Sequence, residues 1–478
     1  MKCDDEKVPT FSHSMCEDLH IGKIPKTTLK GGSTLKKAVH FVDAALAASL
    51  AMLSLSYSFI VSHRWVLYIA IPAYIFINVF SGLTKIDAET PRLLLLYHGA
   101  IMVCITLIAG AVSVAVHTIW YFSLGEFTTL FMHSVLYASL VLFLPFLNGL
   151  TFMYLTSVQL RLQWRLLGVI FALLVPINIF ILIKMLEKCF DEVKFESDRI
   201  RMNRARAAQK ICATKYPILL LHGIFFRDMN LFRHWGRMPH EIEINGGRIF
   251  YGNNNSAVPV AKSAEEIARR VRDIVAMTGS PKVNVLAYSK GGLDIRYAIE
   301  HFGIAPMIAS VVTVASPHKG CKFLAVLLDW VPKWLQRLVA KIYNGVYRLL
   351  GDTEADVLGA LQDLTPDICE IRDSYPVPDG VYARSLGSVM KRMWHGRFPM
   401  NITHLLAKRA DGRCGQFCDG IASIDSYEFG ERYTVIIPAG NRGVSHADLI
   451  DLHRENIKGF DIREFYVEIV ADMKNKGL

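Results

Sequence analysis

A serine set between small residues at the end of an apolar run is a candidate nucleophile. This chain has one in Val285-Leu286-Ala287-Tyr288-Ser289-Lys290-Gly291-Gly292. The stretch reads as a buried strand entering a tight turn with a helix behind it, the context that thrusts a hydroxyl above a sheet. Ala287 two residues before the serine and Gly291 two after leave room for the strained backbone of such a turn. A serine hydroxyl becomes a strong nucleophile only beside a base, and the base needs an acid to orient it. His446, in the polar loop Gly443-Val444-Ser445-His446-Ala447-Asp448, is the candidate base, with His395, His404 and His453 as rivals. Asp419, followed by a glycine, is the candidate acid, with Asp411 and Asp425 as competitors. Together they keep the chain order serine, acid, histidine. The alkoxide formed on attack needs backbone N–H donors, and the residue after the nucleophile, Lys290, supplies one. Only its main chain is asked for, so Lys290→Ala is expected to be mild.

Positioning these groups requires a sheet. Pro217–Leu221, Val283–Ala287, Ile308–Val314, Val381–Leu386 and Tyr433–Ile437 are short apolar runs of the kind that form buried parallel strands. Ser263-Ala264-Glu265-Glu266 reads as a capping box opening a helix, and residues 460–473 as a closing helix. Alternating strands and helices imply an α/β domain with a mainly parallel, covered sheet over residues 212–478. Between a core strand and the acid, residues 321–352 carry an amphipathic helix. Trp334, Leu335, Leu338, Ile342 and Val346 lie on one face, with Lys333, Gln336, Arg337, Lys341 and Arg348 on the other. It reads as a lid or as a plain surface helix.

The first half is different in kind. Hydrophobic residues make up 52% of the 478, and the excess is concentrated in residues 38–183. Five candidate membrane spans fall at about 38–61, 65–83, 93–119, 127–157 and 164–183, with four spans or a re-entrant second segment as the alternative. A polar tail (1–37) precedes them, and a charged helical stalk (184–211) follows. The net charge is +10, and many of the Lys and Arg flank apolar runs rather than forming one stripe, which fits a membrane protein better than a nucleic-acid binder. Basic flanks at both ends compete, so the side on which the second half lies stays open. Nine scattered cysteines imply no disulfide framework, although Cys414 and Cys418 can close a small bridge in an oxidising compartment. No metal and no cofactor are expected.

From residue 212 onward the chain resembles the bacterial triacylglycerol lipase family of α/β-hydrolases. The resemblance is carried, in order, by Leu221-His222-Gly223-Ile224, Ala287-Tyr288-Ser289-Lys290-Gly291-Gly292, Ser316-Pro317-His318-Lys319-Gly320, Asp363-Leu364-Thr365-Pro366, Asp419-Gly420 and Ser445-His446. It assigns the second oxyanion-hole N–H to Ile224. Two positions depart from the family pattern: Ala287 replaces the usual first glycine, and Tyr288 stands where many members carry histidine. The resulting expectation is a multi-pass membrane protein bearing a serine hydrolase that cleaves carboxylic esters, with lipids as substrates and the bilayer as partner. An acyltransferase on the same triad, or a transporter or scaffold with an inactive hydrolase domain, are the alternatives.

Overall fold

The computed structural model describes residues 33–82, 88–224, 235–349, 354–412, 417–438 and 442–478. Contacts divide the chain into two units, the first ending at Arg204 and the second running from Ala205 to Leu478.

The first unit is all helix: α1 (Ser33–Ser54), α2 (Tyr57–Ser62), α3 (Leu67–Phe80), α4 (Pro91–Leu124), α5 (Thr129–Thr156), α6 (Leu162–Ile170) and α7 (Ile177–Arg206). Helix α4 starts where Thr90 accepts the Leu93 N–H and Pro91 presets the first turn, and it ends on Gly125 at φ 73°. Thr128 caps α5 in the same way through Phe131. The two helices cross at Gly99 and Gly149, where a Cβ on either residue would stand 2.8 Å from the other's carbonyl oxygen. Only glycine on both sides permits that approach.

Two helices among the described residues, Pro91–Ser123 and Thr129–Thr156, are long and apolar enough to cross a membrane. The other expected spans differ in form. The first breaks at Leu55-Ser56, where the Ser54 and Ser56 hydroxyls bond back to the Ala51 and Leu53 carbonyls. The second contributes α3, whose 14 residues rise only about 21 Å. The fifth is interrupted by Pro176, which has no N–H to offer a helix. From Ile177 the chain runs as one helix through the segment read as a separate stalk. Ile181, Met185, Cys189 and Val193, spaced four apart, keep one face of it buried. Arg92 and Arg165, beside the apolar runs, are half-buried and tied to the protein. The Glu192 carboxylate is buried and accepts from Arg92 Nη1 at 2.6 Å, Ser157 Oγ at 2.6 Å, Val158 N at 3.1 Å and Gln159 N at 3.0 Å. Arg165 holds the same turn from its carbonyl side, through Ser157 and Leu160.

The second unit is built on a six-stranded parallel sheet. Its strands are β1 (Ile218–Leu221), β2 (Ile249–Tyr251), β3 (Val283–Tyr288), β4 (Ile308–Val314), β5 (Tyr382–Ser388) and β6 (Arg432–Ile436), in the order β2-β1-β3-β4-β5-β6. The sequence reading missed β2, a half-buried edge strand whose apolar run, Ile249-Phe250-Tyr251, is only three residues long. The helices are α8 (Met238–Ile244), α9 (Val260–Thr278), α10 (Lys290–His301), α11 (Lys322–Trp330), α12 (Lys333–Leu349), α13 (Val357–Gln362), α14 (Pro366–Asp373), α15 (Met400–Ala410) and α16 (Ile462–Asn475). Side chains alternate across the sheet. Leu219, Val285 and Ala287 pack on Ala264, Ile267 and Val271 of α9, while Leu220, Leu286 and Val312 share the opposite core with Phe465 and Val467 of α16. The sequence runs from β1 outward to β2 and back to β3 on the other side of β1. That reversal opens a crevice beyond the carboxyl ends of β1 and β3.

The expected capping box does not open α9, which starts three residues earlier, at Val260. Its first-turn N–H is satisfied from a distance: Asp363 Oδ2 accepts from Val260 N at 2.6 Å, while Arg372 donates to Oδ1 at 2.7 Å. Ser263 is thereby freed for another use, described below. Asp363→Ala should lower the stability of the second unit by about 1–3 kcal/mol through these lost bonds. Thermal unfolding checks this; an unchanged midpoint would mean the carboxylate does not cap α9.

Candidate active site

Strand β3 ends at Tyr288, and the next residue turns the chain by adopting φ 53° and ψ −125°, a conformation costly for any side chain. The residue is Ser289, and helix α10 starts immediately behind it. The turn survives because its neighbours are glycines packed with no room to spare. A Cβ at Gly223 would stand 2.8 Å from the Ser289 Cβ, one at Gly291 2.6 Å from the His222 carbonyl, and one at Gly292 2.1 Å from the Ser316 hydroxyl. The Ser289 N–H is tied to the Val314 carbonyl of β4 at 2.9 Å.

Ser289 Oγ lies 3.0 Å from His446 Nε2, and His446 Nδ1 lies 2.7 Å from Asp419 Oδ2. All three residues are buried. The other Asp419 oxygen accepts from the Ile421 and Ala422 N–H groups at 2.9 and 3.3 Å. The buried Tyr427 hydroxyl, within 3.1 Å of the Ala422 N–H, completes that shell. A carboxylate so supplied with donors stays an acceptor toward the imidazole, which fixes the tautomer carrying a proton on Nδ1.

The rivals stand elsewhere. His404 Nδ1 faces Cys418 Sγ at 3.1 Å, and His395 Nδ1 accepts from Gly443 N at 3.3 Å. Asp411 pairs with Lys322 at 3.0 Å. Cys414 lies outside the described residues. Cys418 is a buried free thiol, pushed up to about 12 chiefly by burial. Ile224 follows Gly223, whose main chain passes against Ser289. Lys290 opens α10.

Several positioning residues escaped the sequence reading. Tyr288, the departure from the family pattern, donates its hydroxyl to the His446 carbonyl at 2.9 Å and lays its ring 4.8 Å from the imidazole. Asp448 accepts from both Ser445 N and Ser445 Oγ, closing a capping box around the turn that begins at His446. Arg442 clamps Asp448 at 3.1 Å and Glu455 at 2.8 Å. The spacing of Ser445 and Asp448 is the signal that could have revealed this turn. His318, in another family motif, is a buried strut between Thr313 and Arg296, each at 3.1 Å.

The largest correction concerns Lys290. Its side chain is buried, and Nζ pairs with Asp294 Oδ1 at 2.7 Å. Asp294 Oδ2 accepts from Ser263 Oγ at 2.9 Å, and Ser263 accepts from Asn254 at 2.9 Å. The Asn254 carbonyl lies 3.1 Å from His222 Nε2, which returns the network to the loop beside Ser289. Burial raises the Asp294 carboxyl above its ordinary range, against the pull of Lys290.

A parallel sheet in this order, with serine at the β3–α10 turn, defines an α/β-hydrolase fold. The chain resembles bacterial triacylglycerol lipases. It is 30% identical over 175 residues to the triacylglycerol lipase of Burkholderia plantarii, covering 34% of this chain and 48% of that one. It is 30% identical over 172 residues to that of Pseudarthrobacter phenanthrenivorans, covering 33% and 53%. The chain thus spans about half the length of the curated relatives it matches. Among solved structures, a mature Bacillus licheniformis lipase aligns with TM-score 0.38 and 18% identity, over 50% of this chain and 87% of that one. A metagenomic carboxyl esterase aligns with TM-score 0.41 and 13% identity, over 55% and 77%. No protein-family model matches.

Two predictions follow from the buried groups. Lys290→Ala strands Asp294 in the core and should cost about 3–5 kcal/mol of stability, far from a mild change. Lys290→Arg and Lys290→Ala compared by thermal unfolding check it, and equal midpoints would refute the buried pair. Burial also lowers the proton affinity of His318 and His404 below the ordinary 6.5. Below pH 6.5 the unfolded chain therefore binds more protons at these residues than the folded chain, so stability should fall on acidification through that value. Thermal unfolding against pH reads the slope, and His318→Asn should flatten it.

Proposed function

We propose that the chain is a membrane-anchored serine hydrolase that cleaves carboxylic esters of acylglycerol-type lipids. One observation carries the reading: Ser289, His446 and Asp419 form an unbroken line of hydrogen bonds at the turn beyond the sheet. In the proposed reaction, His446 Nε2 takes the Ser289 proton as Oγ attacks the ester carbonyl. Asp419 stabilises the imidazolium without taking its proton. The main-chain N–H groups of Lys290 and Ile224 receive the developing oxyanion. The imidazolium then protonates the departing alcohol and leaves an acyl group on Ser289. Water deprotonated by His446 attacks the acyl-enzyme, and the collapsing intermediate returns the proton to Ser289. Lipid substrates are inferred from the names of the relatives. Anchoring is inferred from the two helices able to span a bilayer, which would hold the site close to its substrate.

The test is hydrolysis of p-nitrophenyl esters of graded chain length by purified full-length protein and by Ser289→Ala. The expected outcome is activity that favours long acyl chains and falls by about 10³-fold or more in the variant. Equal activity in both proteins would overturn the assignment of Ser289. Preference for short chains would overturn the lipid substrate and leave an esterase.

A further inference from the structure

We infer that helix α12, with the adjoining end of α11, is a docking surface for an anionic lipid bilayer. The surface is independent of the triad. The proposal rests on the membrane-bound reading above only for the nearness of a bilayer.

A helix on a protein surface normally turns its apolar stripe inward. Helix α12 does the reverse. Its attachments to the protein are largely polar: Gln336 Nε2 donates to the Leu328 and Val331 carbonyls, and Asn344 Oδ1 accepts from Val357 N at 2.9 Å. Tyr347 is its one buried residue, packed with Ala257, Ala355 and Val357. The apolar stripe Trp334, Leu338, Ile342, Val346 and Leu349 points outward. Trp334 is 64% exposed, Ile342 59% and Leu349 90%. Trp330, at the end of α11, is 82% exposed and extends the ridge. A contiguous apolar ridge of this kind marks an interaction site rather than ordinary surface.

Charge identifies the occupant. Lys333, Arg337 and Lys341 are also spaced four apart, about 100° around the helix from the apolar stripe. Arg348 adds a fourth cation, and Asp329 is the sole acid in α11 and α12. These cations make no ion pair among the described residues. An apolar ridge edged by long basic side chains suits a helix lying in the plane of a bilayer. The apolar residues sink among the acyl chains while the ammonium and guanidinium groups reach anionic phosphates. A second copy of this chain would instead bring one basic edge against another. Turning the stripe inward over the active site would give up the Gln336, Asn344 and Tyr347 attachments.

Full-length protein is reconstituted into vesicles of phosphatidylcholine alone, or of phosphatidylcholine with phosphatidylglycerol. Hydrogen–deuterium exchange is then followed across α11 and α12. The expected result is slower exchange of α12 in the anionic vesicles. The protection should be lost in Leu338→Ser/Ile342→Ser and in Lys333→Glu/Arg337→Glu/Lys341→Glu, at about fivefold in surface affinity per charge removed. Because all these positions are exposed, hydrolysis of a short soluble ester should be unchanged in both variants. Equal exchange in the two vesicle types would overturn the proposal. So would protection in lipid-free detergent that grows with protein concentration, the mark of a second copy, or protection that appears only with an active-site phosphonate, the mark of closure over the site. If soluble-ester hydrolysis survives Ser289→Ala while α12 is still protected by anionic vesicles, the hydrolase reading fails and the docking surface stands.

Discussion

One residue's backbone conformation governs the second unit. Ser289 at φ 53° is a local cost that the turn cannot avoid, because only a sharp reversal lifts the hydroxyl clear of β3. The surroundings over-determine it. Gly223 and Gly291 let the β1 loop and the start of α10 close on the serine, and Gly292 lets Ser316 press in from β4. Strands β1, β3 and β4 are thereby drawn together around one point, which lies beside the place where the strand order reverses. The strain is held in place by the contacts of three neighbouring strands.

Around that point, charges buried in a low-dielectric interior act as rigid ties. Lys290 and Asp294 fix the first turn of α10, and their network runs through Ser263 and Asn254 to His222, in the loop beside the serine. Asp448, held by Ser445 and Arg442, fixes the turn that presents His446. Asp419 is fixed by two backbone N–H groups. Each member of the candidate triad therefore sits on a loop whose geometry is set by a buried carboxylate. Such groups favour one arrangement because any other leaves a charge unpaired. The first unit uses the same device at Glu192, which gathers the turn between α5 and α6.

Much of this was legible from residue types. The apolar runs of β1, β3 and β4 announced buried parallel strands, since a strand covered on both faces needs no alternation. Ser289, Asp419 and His446 were chosen by order and local context, and the structure brings the three into one line of hydrogen bonds. Lys290 and Asp294 are only four residues apart, but the burial that makes their pair a core strut is set by what packs over it. The role of Tyr288 and the tie made by Asp363 were not legible, because each depends on a partner distant in sequence. The capping box at Ser263 was misread for the same reason. Its hydroxyl was claimed by Asp294, thirty-one residues away.

The sequence by itself determined the class of fold, the nucleophile's turn and the apolar character of the first half. These rest on local properties: the period of hydrophobicity, the absence of a Cβ in glycine and the short reach of a serine hydroxyl. Tertiary structure alone decided what holds His446 in line with the serine, which lysine is a core strut and which face of α12 looks outward. A side chain's proton partner, burial and exposure are set by whatever the folded chain lays against it, and the spacing of residues along the chain does not encode that.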